Sequence, residues 1–363
     1  MKAFHRRKRT SSLKQVKKIS AVGVRKLIDG LLRIITIAVS SLLLLSCLTP
    51  YVPVRGLLSF FGFVSLGVPL LVLTNLLFFL FWLLRKKRIL IMPLTALVLG
   101  YFLLGSFFQF RLKENPIDEE DLSILTFNAH GFNNGYRKIK RENVDLEIID
   151  FVNSMDPDIV CFQEYDGRQS ENFQQHPYRY INLEAHRSTQ AILSKYPIVG
   201  KGSLDFPETG NNAIYADILY KKDTIRVYNM HFQSFQVIPS RRLLTYEYSG
   251  RALGKLSDAF PKQQQQAELL KAHSREVSYP VIISGDMNNT QFSNVYRTVA
   301  EDMEDSFEEA GTGYGRSYNF RYFPLRIDFI LADQHFETRA HKNFNVKLSD
   351  HFPVMASFRL NQE

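Results

Sequence analysis

Apolar and polar positions alternate along this chain in two different ways. From residue 31 to residue 110 the chain is almost continuously apolar, in three runs at about 31–48, 57–84 and 89–110. Each is near the ~20 residues a helix needs to cross a bilayer core, so three transmembrane α-helices are predicted. Gly67 and Pro69 predict a kink in the second. Beyond residue 121 the apolar runs become short and end in turn-forming or polar residues, the pattern of buried strands. Strands are predicted at Leu122–Phe127, Ile159–Phe162, Ala191–Ser194, Ala213–Leu219, Ile225–Tyr228, Val281–Ile283, Arg326–Leu331 and Val354–Leu360. Val144, Ile148, Ile149 and Val152 recur at helical spacing and predict a helix over Asn143–Met155, stopped by Asp156-Pro157. A further helix is predicted around Gln263–Arg275, after an irregular excursion over residues 232–262 rich in Arg, Tyr and Ser. Strands interleaved with helices make the fold class α/β.

Charge sharpens this division. The chain of 363 residues carries a net +9. Residues 1–110 hold sixteen Lys/Arg and one acid, Asp29, whereas the remainder holds 29 basic and 35 acidic residues. The basicity therefore flanks the apolar runs, and the later part advertises no broad basic face for long nucleic acid. Ten Lys/Arg precede the first run, the cluster Arg85-Lys86-Lys87-Arg88 separates the second from the third, and only Arg55 lies between the first and second. Positive charge stays on the cytoplasmic side. An integral membrane protein of a bacterial inner or plasma membrane is expected, with its N-terminus cytoplasmic and residues 111–363 extracytoplasmic. The expected division is a basic segment 1–30, a membrane region 31–110, a linker 111–121 and an α/β domain 122–363. Two cysteines, Cys47 and Cys161, imply no disulfide framework.

The stretch Val281-Ile282-Ile283-Ser284-Gly285-Asp286-Met287-Asn288 drives an apolar strand into a small-residue turn carrying Asp286 and Asn288. Residues two apart project the same way, so a carboxylate and a carboxamide face one phosphate or one water. The theme repeats: strands end in or just after Asn128, Glu164 and His231, and Asp350-His351 stand before the last one. Asp328 lies inside a strand, where a buried carboxylate needs a partner. Each residue has a bland reading as a turn former or a satisfied core polar group. Their recurrence at so many strand ends points to one polar rim, where a rigid sheet places chemistry.

The segments Thr126-Phe127-Asn128-Ala129-His130, Phe162-Gln163-Glu164, Tyr228-Asn229-Met230-His231-Phe232, Gly285-Asp286-Met287-Asn288, Arg326-Ile327-Asp328-Phe329-Ile330 and Ser349-Asp350-His351-Phe352-Pro353-Val354 occur in that order. Together, over about residues 122–360, they resemble the endonuclease/exonuclease/phosphatase superfamily. That group includes DNase I, abasic-site endonucleases, neutral sphingomyelinases, inositol polyphosphate 5-phosphatases and deadenylases. The resemblance implies a four-layer α/β/β/α sandwich and metal-assisted hydrolysis of a phosphoester. It implies Mg²⁺, with Mn²⁺ or Ca²⁺ as alternatives, because hard ions take oxygen ligands. By the same resemblance Glu164 is the principal ligand, Asn128 lies beside it, and Asp350 is a second contributor. Asp286 orients and deprotonates the attacking water, while Asn288 holds that water or a phosphate oxygen. Asp328 pairs with His351 and fixes its tautomer, and His231 adds a second donor to the developing charge.

Two departures stand out. His130 occupies a position where abasic endonucleases carry an acid, and Thr189-Gln190-Ala191 lacks a glycine common in relatives. His231 in its Asn-x-His-Phe setting favours the DNase I-like, sphingomyelinase-like and phosphatase-like branches. The leading expectation is a membrane-anchored phosphodiesterase or phosphomonoesterase acting on a lipid headgroup or small phosphoester. A surface nuclease is the alternative, with Arg241, Arg242 and Arg251 gripping phosphates and Tyr246 and Tyr248 stacking on bases. A membrane scaffold with a degenerate site is the third. Besides the bilayer and a phosphoester, no protein partner is implied.

Overall fold

The structure is a computed structural model that describes residues 2–133, 139, 141–184, 187–236, 246–320 and 323–361. The chain packs into two compact units, one of residues 1–48 with 67–105 and one of residues 49–66 with 106–363.

The first unit is helical. Helix α1 covers Lys2–Ser46, α2 covers Phe60–Leu84 and begins in the second unit, and α3 covers Ile91–Leu104. Among the described residues two helices, Gly23–Tyr51 and Gly56–Leu84, are long and apolar enough to cross a membrane. The third apolar run forms a shorter helix than the expected 89–110. It ends at Gly105, whose φ of 87° takes the chain out of the helix. Polar side chains tie α1 to α2: Ser40 Oγ donates to Asn75 Oδ1 at 2.7 Å and Trp82 Nε1 to Thr36 Oγ1 at 2.9 Å. In an apolar surrounding such groups need each other.

The second unit holds the α/β fold. Its strands are β1 (Leu122–Asn128), β2 (Ile159–Gln163), β3 (Tyr178–Asn182), β4 (Gln190–Ser194), β5 (Ile198–Ser203), β6 (Asn212–Tyr220), β7 (Asp223–His231) and β8 (Val281–Asp286). They continue with β9 (Glu304–Asp305), β10 (Tyr318–Phe320), β11 (Phe323–Leu325), β12 (Asp328–Ala332), β13 (Phe336–Asn343) and β14 (Val354–Leu360). One six-stranded sheet has the order β13-β14-β1-β2-β4-β3 and the other β5-β6-β7-β8-β12-β9. Each has one parallel pair at its centre, β1 with β2 and β7 with β8. A parallel pair needs a crossover, supplied by α4 (Val144–Met155) in the first sheet and α5 (Tyr246–Arg275) in the second. Short helices α6 (Asn294–Ala300) and α7 (Ser306–Ala310) follow.

Strand parity builds the layers. Ile124, Cys161, Val227, Ile282 and Ile330 point between the sheets into one apolar core. Leu125, Phe127, Val160 and Phe162 face the other way, onto Val144, Ile148 and Val152 of α4. Tyr228, Met230 and Ile283 face Ala267 and Leu270 of α5 and Val295 and Val299 of α6. The order helix, sheet, sheet, helix is the four-layer sandwich expected from the sequence. The excursion is less irregular than expected, because α5 already begins at Tyr246. Buried Ala252, Ala259 and Phe260 fix its extra turns, and Pro261 is carried inside it.

Candidate active site

Following the inward-facing positions of each central strand to its end leads to the site. On β1 they run Ile124, Thr126, Asn128; on β7, Val227, Asn229, His231; on β8, Ile282, Ser284, Asp286. The interior between the sheets thus grades from aliphatic through amide and hydroxyl to ionisable. In the middle layer Gln163 Nε2 donates to Thr126 Oγ1 at 3.0 Å and, across the sheets, to Asn229 Oδ1 at 2.7 Å. Asn229 Nδ2 donates to the carbonyls of Phe162 and Ala191 at 2.8 and 3.0 Å. Buried amides satisfied in this way fix the two sheets against each other.

Register brings the ionisable layer together. His231 pairs with Asp286 along the parallel ladder, and Asp328 opens β12 directly opposite Asp286. Asp328 therefore lies at the rim, at the start of its strand. Asp350 and His351 reach the same rim because β14 runs antiparallel to β1, with Val354 beside Thr126.

Asp286 is buried and held from three directions. Asn288 donates its backbone N–H to Oδ1 at 2.8 Å and its Nδ2 to Oδ2 at 3.2 Å, and Asn128 Nδ2 donates to Oδ2 at 3.1 Å. Asn288 also donates Nδ2 to the Phe232 carbonyl at 3.0 Å. Its amide nitrogen is thus turned back onto Asp286, which it orients. The imidazole Nε2 atoms of His231 and His351 each stand 3.7 Å from Asp286 Oδ2. Burial, partly offset by His351 and reinforced by Asp328, raises the Asp286 carboxyl to about 6.

The His351 Nδ1 lies 3.1 and 3.0 Å from the two oxygens of buried Asp328. Burial disfavours the imidazolium, but the charges of Asp328 and Asp286 outweigh it and raise His351 to about 10. Asp328 is itself fixed by Ser317, whose Oγ accepts its backbone N–H at 2.9 Å. His231 Nδ1 contacts Ser188 Oγ at 2.9 Å, which leaves Nε2 facing the site. Sequence reasoning missed Ser188, since nothing local marks a serine that supports a histidine on another strand.

Glu164 stands just past β2 with a φ of 49°, an uncommon conformation for such a residue. Its Oε2 lies 3.0 Å from His130 Nδ1, and its Oε1 lies 3.9 Å from His231 Nε2 and 3.4 Å from Asn128 Nδ2. Burial works against its ionisation, yet the His130 contact and the charge of His231, His130 and His351 bring it down to about 2. Asp350 Oδ1 is 4.0 Å from the same His130 nitrogen. His130 therefore replaces the absent acid with a group that orients Glu164. Arg241 and Arg242 lie outside the described residues.

Two groupings are candidates for a cation. Asp286, Asp328 and His351 offer ligand atoms within 4.8 Å of one another. The His351 Nδ1 already engages both Asp328 oxygens, and a protonated His351 has no lone pair left to give. Glu164 fits a hard ion better: it is fully ionised and its side chain is 37% exposed. The Asp350 carboxylate adds an oxygen on the far side of His130. Asn128, whose Nδ2 faces Glu164 and Asp286, offers its Oδ1, which also accepts the His130 backbone N–H at 3.2 Å. A separate cavity of about 810 Å³ lies on the outer face of the first sheet. Its Lys195 is paired with Asp156 at 3.0 Å and Asp158 at 3.7 Å, and no histidine lines it.

A two-sheet α/β sandwich with carboxylates, imidazoles and amides converging on one rim defines a class of phosphoester hydrolase. The chain belongs to the endonuclease/exonuclease/phosphatase family, whose model matches residues 125–351. Residues 27–107 match a second family, described as a domain of unknown function. No curated protein matches the chain.

Solved structures share the fold. The endonuclease/exonuclease/phosphatase of Beutenbergia cavernae is 16% identical with a TM-score of 0.52, covering 66% of this chain and 72% of that one. The Bacteroides vulgatus protein is 18% identical with a TM-score of 0.52, covering 66% and 99%. D. rerio TDP2, in complex with a single-strand DNA product, is 15% identical with a TM-score of 0.51, covering 67% and 100%.

Proposed function

We propose that the protein is a membrane-anchored, metal-dependent phosphoesterase that activates water with Asp286. The observation that carries this reading is the environment of Asp286: buried, oriented by Asn288 and Asn128, and flanked by two imidazole Nε2 atoms at 3.7 Å. A carboxylate at its ordinary pKa is a weak base. Raised to about 6, Asp286 is better matched to taking a proton near neutral pH. Asn288 and Asn128 fix the direction from which Asp286 meets the water, so that little motion remains to be frozen at the moment of attack.

His351, held as an imidazolium by Asp328, presents Nε2–H to a phosphoryl oxygen. His231, steadied by Ser188, presents a second donor. Glu164, Asn128 and Asp350 would hold the divalent ion, which supplies charge stabilisation to the phosphoryl oxygens and leaving group. The all-oxygen set supports Mg²⁺ over softer metals.

Anchoring is supported by the two helices of 29 residues that are long and apolar enough to cross a membrane. We infer three crossings, with the third through the shorter apolar helix Arg88–Leu104, because the basic 85–88 cluster then stays with the N-terminus. Three crossings leave the site extracytoplasmic, whereas two would return it to the N-terminal side. Reporter fusions after residue 361 separate these outcomes. The net charge of residues 111–363 and the tether favour a lipid headgroup or small phosphoester as substrate.

The test uses the full chain in detergent micelles with Mg²⁺, on plasmid DNA, RNA, phosphoinositides, sphingomyelin, and bis- and mono-(p-nitrophenyl) phosphate. Asp286→Asn and chelation serve as controls. Metal-dependent turnover of lipid or small esters, lost in the variant, supports the proposal. Nucleic-acid cleavage that falls steeply with salt would replace it with the nuclease reading. A folded, metal-binding protein that turns over nothing would leave the scaffold.

A further inference from the structure

Residues 49–66 comprise the connection between the first two apolar helices and the first turns of α2, yet they pack in the same compact unit as the α/β fold. Their partners are specific. Thr49 Oγ1 donates to the Phe292 carbonyl at 2.6 Å, and Asn294 Nδ2 donates to the Pro50 carbonyl at 2.6 Å. Arg55 pairs with Glu268 of α5, and the Arg297 guanidinium lies over the Tyr51 ring at 4.2 Å. Gly62 meets the face of Phe260 so closely that a Cβ there would lie 2.6 Å from the ring. Thr49, Val54, Val64 and Ser65 are almost fully buried.

The surface they cover is the loop that leaves the site. After Asp286 and Asn288 the chain runs through Asn289, Thr290 and Phe292 to Asn294 at the start of α6, all buried. Gln263 of α5 grips one side of this loop, donating to the Asn288 carbonyl at 3.1 Å and accepting from Asn289 Nδ2 at 2.8 Å. Thr49, Pro50 and Ser65 grip the other; Thr290 Oγ1 donates to the Ser65 carbonyl at 3.4 Å. Asn288 sits at a φ of 50°, the left-handed region that asparagine tolerates, and this turn brings its backbone N–H onto Asp286. Its backbone N–H is the shortest hydrogen bond onto Asp286.

We infer that the segment 49–66 is a positioning element of the active site, holding the loop 287–294 and through it the Asn288–Asp286 geometry. This rests on the role given above to Asp286 and Asn288. It assigns a task to part of the region matched only by a domain of unknown function. It also means that a fragment beginning after residue 105 lacks a piece of its own catalytic unit.

The test compares wild type with Thr49→Val, Thr49→Ser and Gly62→Val in the full chain in detergent. Amide hydrogen exchange is followed over 286–294 and over β1 and β14, and kcat and KM are measured on bis(p-nitrophenyl) phosphate with Mg²⁺. Thr49→Val and Gly62→Val should speed exchange over 286–294 by about tenfold or more, without change in β1 and β14. Their kcat should fall by about ten- to hundredfold while KM holds within about threefold, and Thr49→Ser should keep wild-type values. Unchanged exchange in the loop overturns the inference, as does faster exchange with unchanged kcat. If wild type turns over no ester, the phosphoesterase reading fails at that step. The exchange comparison then decides alone whether 49–66 holds the loop.

Discussion

Gly285→Ala is the substitution whose consequence can be worked most directly from the structure. Gly285 has a φ of 127°, a region closed to residues with a side chain, and sits in register with Met230 on the parallel neighbour strand. A Cβ at this position would lie 2.1 Å from the Met230 carbonyl oxygen and 2.9 Å from its nitrogen. An ordinary carbon–oxygen contact is about 3.3 Å, so the strands must part by about 1 Å. Neither colliding group is a side-chain tip that can swing away. Dihedral strain of about 1–3 kcal/mol adds to weakened ladder hydrogen bonds at about 1 kcal/mol each, for a total near 3–5 kcal/mol. For a unit of this size that lowers Tm by about 6–15 °C. The next pair in register is His231 with Asp286, so displacement on this scale should also cut kcat by about a hundredfold. The assay is thermal unfolding of the full chain in detergent alongside phosphoester turnover. Ser284→Ala is the control: it removes one hydrogen bond, Ser284 Oγ to the Tyr228 carbonyl at 3.1 Å, and should cost about 1 kcal/mol. A Gly285→Ala protein melting within about 2 °C of wild type, with turnover within about twofold, would refute the reasoning.

Asp286→Asn should lower kcat by about a thousandfold yet raise stability in a chelating buffer. The folded carboxyl at about 6 binds its proton more tightly than the unfolded one, so native stability falls as pH rises from about 4 to 6, by up to about 3 kcal/mol. Melting curves at pH 8 should therefore favour the variant. Burial holds His341 neutral and lowers it to about 4, so the unfolded chain binds the extra proton. Stability should drop by about 2 kcal/mol between pH 7 and pH 5 from this group, and a pH series of Tm for His341→Asn should be correspondingly flatter. Arg326→Met removes the buried partner of Asp305 at 2.6 Å and should destabilise by about 3–5 kcal/mol, measured by denaturant unfolding.

Much of the site could be read from the chain because strand ends announce themselves. An apolar run closing on Asn128, His231 or Asp286 states both a strand and the side chain at its tip. What supports those tips was not legible. Ser188, the Gln163–Asn229 amide pair and the clamp of Gln263 on Asn288 join residues far apart in sequence, and no local pattern encodes such a meeting. Edge strands were missed for a related reason. In β5 the cross-strand neighbours of Gly200 and Gly202 are occupied by the side chains of Asp217 and Tyr215, which lie where a Cβ would be. The strand therefore carries no alternating apolar signal. In β13, Glu337 and Lys342 face solvent, so that strand too reads as polar.

The graded interior between the sheets explains why one rim can hold four carboxylates and three histidines without losing its shape. His231 and Asp286 each end a strand whose preceding inward residue, an amide or a hydroxyl, is locked in the core. Asn229 below His231 and Ser284 below Asp286 are satisfied by carbonyls and amides of neighbouring strands. The charged layer is consequently set on a floor that cannot relax towards it, and the cost remains stored in Asp286. A softer floor would let Asp286 turn to solvent and return to an ordinary pKa. The amide layer is in this sense what keeps the Asp286 carboxyl buried and its proton affinity raised.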